Sequence, residues 1–467
     1  MLFSSIPFLY YFLPAVILVY FLAPRQLKNG VLLVASLFFY AWGEPRCLFL
    51  MLATIAVGYV CGLAIARAQR SVWKKTWLYL SCAVFLGFLG YFKYAGFFVE
   101  NFAALTGLPV PALKIALPVG ISFYTFQILS YTIDVYRAQV PAQRNFIDFA
   151  CYVSLFPQLI AGPIVRYSDI NSQLAMRRHS VSAVAEGIQR FLLGLSKKVL
   201  LANLLGEFCD AFRACDEKTV LFYWLYALAY TLHIYFDFSG YSDMAVGLGK
   251  IFGFSFPKNF DYPYISRSIT EFWRRWHITL GAWFRDYVYI PMGGNRVPRA
   301  RWLLNILTVW MLTGFWHGAN WNFILWGLLY AVLLSAEKLF LKKWLDKAPR
   351  ILSHLYTMFF VALGFVLFAG DSLAQAGADF AGIFGMQDIP FSGAQTLYFL
   401  RSYAVVFVLG LIGATPLPAL LYRKLESTRA GDVFLSLLNP FVLLALLLLC
   451  TAYLVDGSFN PFLYFRF

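Results

Sequence analysis

Residues 47–66 read CLFLMLATIAVGYVCGLAIA, an unbroken run without a single charged side chain. Helical, a run of this length rises about 30 Å, the thickness of a bilayer's hydrocarbon core. The basic cluster Arg67, Arg70, Lys74 and Lys75 follows at once. Lys and Arg gather in cytoplasmic loops, so this end reads as inside. On the N-terminal side lies a shorter apolar run from Val31 to Trp42, broken at Gly43-Glu44-Pro45. Before it a first run ends at Pro24, followed by Arg25 and Lys28. Counting back places Arg25 and Lys28 inside too, and the N-terminus outside. That first run has no basic leader segment, so it reads as a retained helix and not a cleaved signal.

Similar runs recur along the 467 residues, beginning near Ile6, Cys47, Trp77, Lys114, Ala185, Val220, Leu303, Asn322, Ile351, Tyr398 and Phe434. The chain is 61% hydrophobic and 13% charged, against about 45–50% and about 25% for a soluble domain. The fold expected is therefore an all-α polytopic membrane protein. The runs do not alternate apolar and polar residues, which excludes a β-barrel. The net charge of +15 would suggest nucleic acid for a soluble protein. Here it marks cytoplasmic loops and anionic membrane lipids, or an anionic soluble substrate. The seven cysteines lie mostly within apolar runs without a C-x-x-C pair, so neither a disulfide framework nor a metal site is expected.

Three stretches depart from plain spans. Residues 97–114, FFVENFAALTGLPVPALK, read as an exposed or interfacial segment, because Pro109 and Pro111 prevent a continuous helix. Residues 118–134, PVGISFYTFQILSYTID, are too polar to face lipid and should line the protein interior. Their hydroxyls serve either interhelical hydrogen bonds or substrate contact. Residues 146–160 are short and break at AGPIVRYSDI; a re-entrant segment there keeps Arg166, Arg177 and Arg178 inside. GEFCDAFRACDEK, residues 206–218, reads as a polar link.

The densest polar chemistry lies within residues 235–322. From Lys250 to Arg301 nine basic residues face three acidic ones, which places the stretch on the cytoplasmic side as short amphipathic helices. His277 lies in EFWRRWHITL and His317 in GFWHGANWNF. Neutral imidazole can take a proton from an attacking hydroxyl, and Gly314 and Gly318 would permit close approach. A buried structural histidine bonded to a backbone carbonyl remains the alternative for His317. His277 is expected to share a helical face with Trp273, Leu280 and Gly281. Arg274 and Arg275 could hold phosphates, or the segment is a basic interfacial helix anchored by tryptophans. Asp237, Asp243 and Asp261 could orient histidines or coordinate a cation, but pairing with the abundant arginines is the preferred reading. His179 and His354, beside basic loops, read as solvated. Neither a G-x-x-x-x-G-K-[ST] phosphate loop nor a G-x-S-x-G elbow occurs.

FDFSGYSDMAVGLGKIFGF, PKNFDYPYISRSITEFWRRWHITLGAWFRDYVYIPMGGNR and TGFWHGANWNFILWG closely resemble the membrane-bound O-acyltransferase (MBOAT) family. LIAGPIVRYSDI and the closing NPFLYFRF fit its bacterial branch, which O-acetylates alginate, peptidoglycan and other polysaccharides. The resemblance implies one membrane domain over residues 1–467, with 235–322 as its catalytic core. It implies a ring of about 11 transmembrane helices, with re-entrant and interfacial helices around a central tunnel. It places the signature catalytic histidine on His317 and a second position, histidine or asparagine, on His277. Arg274, Arg275, Trp273, Trp276, Trp316 and Asn320 would then contact the substrate or its CoA moiety. The donor expected is cytosolic acetyl-CoA, with no bound cofactor. The partner expected is an extracytoplasmic SGNH-type acetyltransferase acting on an exported polysaccharide such as alginate, at a bacterial inner membrane. D-alanyl transfer to teichoic acid from a carrier protein, and a non-enzymatic polysaccharide or lipid transporter, are the alternatives.

Overall fold

The computed structural model describes residues 1–111, 113, 115–456 and 462, and these fold into helices joined by short loops, with no strand among them. The start of the run near Lys114 and all of NPFLYFRF except Phe462 lie outside the described residues. Among the described residues, six helices are long and apolar enough to cross a membrane: Cys47–Arg67, Ser71–Thr106, Trp321–Leu345, Arg350–Ala369, Ala394–Gly413 and Arg429–Val455. Phe8–Leu22 is a shorter apolar helix. The remaining expected spans are shorter or more polar. Ile121–Tyr136 has 16 residues, a rise of about 24 Å. Val220–Ile251 has 32 residues, but its tyrosines, His233 and Asp237 are buried and lower its hydropathy.

The chain divides into two compact units, Met1–Phe191 with Ser242–Pro257, and Leu192–Tyr241 with Lys258–Phe467. In the first unit, Ile121–Tyr136 is the interior helix that its polar composition requires, with nearly every side chain buried. Ser81 Oγ donates to Thr132 Oγ1 at 3.1 Å, an interhelical bond of the expected kind. Gly58 and Gly62 leave room for Ile128 and Tyr131, which a Cβ would meet at 2.4 and 2.5 Å. The 146–160 stretch forms two short helices, Phe146–Ser154 and Phe156–Leu159. Phe146–Ser154 is too short to span, and the break at Leu155 is buried in protein, where irregular backbone is tolerated. Phe156 N–H, freed by the break, donates to Ser36 Oγ.

Two sequence expectations change here. The helix Ser71–Thr106 runs on through FFVENFAALT, and Gly107 ends it in the left-handed conformation (φ +69°). Apolar side chains with no proline before residue 109 let the helix continue past Tyr91. His179 is half-buried, with its Nε2 2.9 Å from the Tyr20 hydroxyl, so it is not simply solvated.

The second unit holds the polar stretch. Most of the presumed link at 206–218 belongs to an amphipathic helix, Asn203–Ala214, with Gly206, Phe208, Cys209 and Phe212 buried. Arg213 reaches Asp379 at 2.6 Å. Lys197–Ala202 is a π-helical turn, and Lys198 from that turn meets Asp237 at 2.5 Å with both side chains almost wholly buried. Gly240, one turn on, would bring a Cβ within 2.8 Å of Gly194 O, so two backbones touch where the pair forms. Breaking one member of a buried pair strands the other charge and costs about 3–5 kcal/mol. Lys198→Met should therefore lower the thermal midpoint in detergent by far more than Lys258→Met, whose partner pair is exposed. Equal midpoints would refute this. Asp243 pairs with Arg190 at 3.0 Å within the first unit. Asp261 pairs with Lys258 at 2.6 Å and Arg275 at 3.7 Å within the second. All three aspartates are ion-pair partners, Asp243 and Asp261 of an arginine as expected and Asp237 of a lysine instead.

Candidate active site

The basic stretch folds into two short helices, Ile269–Arg275 and Ile278–Phe284. Ser268 caps the first, its side chain accepting from Glu271 N. Glu337, a buried carboxylate inside Trp321–Leu345, accepts from Ile269 N at 2.6 Å, Thr270 N at 2.9 Å and Thr270 Oγ1 at 2.6 Å. A carboxylate at a helix N-terminus satisfies orphan donors and opposes the helix dipole. It also ties the basic helix to a membrane span.

His277 sits between the two helices and belongs to neither interior. Its backbone is left-handed, φ +44° and ψ +52°. The expected continuous helical face through Trp273, His277 and Leu280 therefore does not form, because the chain turns at the histidine itself. Trp273, Leu280 and Gly281 nonetheless line the same cavity as His277. A loop clamps the turn: Asn259 O accepts from Ile278 N–H at 2.9 Å, and Arg275 O accepts from Asp261 N–H at 2.9 Å. His277 Nδ1 lies 3.2 Å from Asn259 Oδ1. Phe238 packs edge-on against the imidazole with centroids 4.7 Å apart. Burial pushes the His277 pKa down to about 3, so the ring is neutral near pH 7.

His317 ends the helix Arg299–His317 and is 6% exposed. It faces protein, not lipid. Its ring is boxed by Trp316, Trp326 and Phe368, at centroid distances of 5.0, 5.2 and 5.3 Å. The Trp316 ring is also 6.1 Å from that of His277, so one indole touches both histidines. The helix Arg299–His317 crosses Trp321–Leu345 backbone to backbone: a Cβ on Gly314 would lie 2.1 Å from Phe323 O, and one on Gly327 2.2 Å from Trp310 O.

Two neighbouring cavities share Thr270 and Arg274 in their walls. One, about 350 Å³, is mostly apolar and reaches His277 past Trp273, Trp276 and Phe284. The other, about 680 Å³, is polar and lined by Arg267, Arg274, Lys342 and Arg350 with Glu271 and Asp346. Of the residues singled out in the sequence, Trp273, Arg274, Trp276 and His277 share the apolar cavity. Trp316 and His317 stand beside it without lining it. Arg275 is not a free cation: it pairs with Glu271 at 2.9 Å and Asp261 at 3.7 Å. Asn320 caps the next helix, accepting from Asn322 N and donating to Asp371 O, a structural duty outside the cavity. His354, expected to be solvated, is half-buried with Nδ1 3.1 Å from Ser266 O.

Sequence reasoning missed Asn259, Glu337, Arg267 and Arg350. Glu337 carried a signal, an acid that directly follows the apolar run 321–336 in the same helix, where a membrane protein retains a charge only with a partner. Asn259 carried none, since it meets His277 from 18 positions away.

Residues 135–375 match the membrane-bound O-acyltransferase family. Over 499 aligned residues, covering 100% of both chains, the protein is 40% identical to a probable alginate O-acetylase AlgI of Azotobacter vinelandii. It is 45% identical to a probable alginate O-acetylase AlgI of Pseudomonas aeruginosa, over 80% of this chain and 73% of the other. It is 36% identical to a peptidoglycan O-acetyltransferase of Helicobacter pylori, over 83% and 81%.

Proposed function

From the premise that the chain belongs to the membrane-bound O-acyltransferase family, we propose that it takes an acetyl group from cytosolic acetyl-CoA. The acetyl group then passes across a bacterial inner membrane, through an extracytoplasmic SGNH-type acetyltransferase, to an exported polysaccharide. The family fixes the reaction class as O-acyl transfer in a multi-pass membrane protein. The relatives' names favour alginate or a similar polymer as the acceptor. The nine-to-three basic excess between Lys250 and Arg301 favours a cytoplasmic position for this face, and hence the N-terminus outside.

The observation that carries the donor assignment is the pair of neighbouring cavities that share Thr270 and Arg274 in their walls. A CoA thioester has a polyphosphate end and a long, weakly polar arm ending in the acyl group. The polar cavity with its four cations suits the first, and the apolar cavity reaching His277 suits the second. Arg274, which lines both, would hold a phosphate. His277 positions the arm. His317 deprotonates the acceptor hydroxyl or carries the acetyl group in transit, both roles open to a neutral imidazole. A tunnel within a helical ring would join the two faces.

The test offers purified protein, with acceptor and partner, either labelled acetyl-CoA or a carrier protein charged with an acyl group. Release of free CoA thiol is expected. Consumption of the carrier thioester alone would replace this reading with D-alanyl-type transfer, and turnover of neither would favour a transporter. Arg274→Ala should raise the KM for acetyl-CoA roughly tenfold, the order of one lost charge-assisted hydrogen bond, with little change in kcat. Arg275→Ala, which breaks ion pairs instead, should act mainly on stability. The reverse pattern would move the phosphate site to Arg275.

A further inference from the structure

We infer that Asn259 is a positioning residue that holds His277 in the tautomer protonated on Nδ1, leaving a lone pair on Nε2 to accept a hydrogen bond from the acyl donor's arm. The inference begins with the orientation of the asparagine amide. Asn259 Oδ1 lies 3.3 Å from Thr279 N and 2.9 Å from Thr279 Oγ1. A backbone N–H only donates, so the amide atom facing it is the oxygen; the flipped amide would set two donors against each other. The same oxygen lies 3.2 Å from His277 Nδ1. An amide oxygen only accepts, so Nδ1 must carry the proton.

The second ring nitrogen follows from the first. Burial keeps the imidazole neutral, as the fall of its pKa to about 3 records. A neutral ring protonated on Nδ1 has an unprotonated Nε2. That atom is buried, without a hydrogen-bond partner among the described residues, on a side chain 2% exposed. An unsatisfied buried acceptor destabilises the fold, and this one belongs to a residue lining the apolar cavity. The structure thus holds an acceptor in reserve for a group that arrives with the ligand. The complementary chemistry is an amide N–H or a hydroxyl, and the pantetheine arm of a CoA thioester offers both. The same tautomer prevents His277 from donating to the oxygen that becomes negative as the thioester is attacked. That stabilisation falls to other groups.

The tautomer stands on the Asn259 geometry together with the burial of the ring, whereas its consequence for the donor rests on the function proposed above. The experiment separates the two. The chain has five histidines, so nitrogen-15 spectra of histidine-labelled protein in lipid bilayers, with a His277→Asn difference spectrum for assignment, resolve this ring. At pH 7 the expected result is a protonated Nδ1 and an unprotonated Nε2. A protonated Nε2 overturns the tautomer, whatever the enzyme's donor. Asn259→Leu, close in size but without the acceptor, should populate the other tautomer and raise the KM for acetyl-CoA roughly tenfold with kcat nearly unchanged. A variant with the wild-type spectrum would remove Asn259 as the cause. An altered spectrum with unchanged KM would remove the role in donor binding. The wild-type spectrum decides the tautomer even if the variant does not accumulate.

Discussion

Replacing His317 with alanine is expected to lower acetyl transfer by roughly two to four orders of magnitude, the range a general base contributes, while the protein still assembles in the membrane. The ring is enclosed by Trp316, Trp326 and Phe368, so truncation leaves a void among rigid aromatic walls. Such a void costs about 2–5 kcal/mol, so the alanine variant's thermal midpoint should fall as well as its turnover. The two effects separate cleanly. His317→Gln keeps most of the volume and can still form hydrogen bonds, but it cannot take a proton near pH 7. It should recover the thermal midpoint lost by the alanine variant and recover none of the turnover. CoA thiol release and thermal unfolding in detergent measure both. Turnover retained in either variant would end the catalytic assignment.

A larger structural effect is expected at Gly314. A Cβ there would lie 2.1 Å from Phe323 O and 2.9 Å from Phe323 C. These are backbone atoms of the neighbouring helix and cannot rotate aside as a side chain does. Gly314→Val must push Arg299–His317 away from Trp321–Leu345, which costs roughly 3 kcal/mol or more and moves His317, one turn along. Gly281 is the control. It lies in the short helix Ile278–Phe284, lines the cavity, and would bring a Cβ within 4 Å of nothing. Gly281→Ala should leave the thermal midpoint unchanged or slightly raised, whereas Gly314→Val should leave little folded protein in the membrane fraction. Equal accumulation of the two would show that the crossing is looser than described.

The contrast between these glycines marks what a one-dimensional reading can reach. Absence of charge over residues 47–66 follows from the bilayer as solvent, and the span follows from the absence. The polar helix Ile121–Tyr136 was legible because hydroxyls and an amide facing lipid would go unsatisfied. The three aspartates were legible as ion-pair partners because cations were abundant nearby, although Asp237 chose a lysine from a π-helical turn. His277 was legible as a residue of interest and illegible as geometry. Helical periodicity assumes that the helix continues, and the turn at 277 is made by a clamp from Asn259 and Asp261, which no local pattern encodes. The amphipathic helix at Asn203–Ala214 was missed for a related reason. Its charged face dominated the composition, while Phe208 and Phe212, four apart, gave the helical spacing that burial then used.

The positive φ at His277 also bears on how relatives should be compared. Among side chains, asparagine, aspartate and histidine tolerate that backbone region best. An alignment column restricted to histidine and asparagine can therefore arise from conformation before any chemistry is selected. Asparagine at this position is compatible with the same bend of the chain, and its proton-accepting capacity has to be established independently.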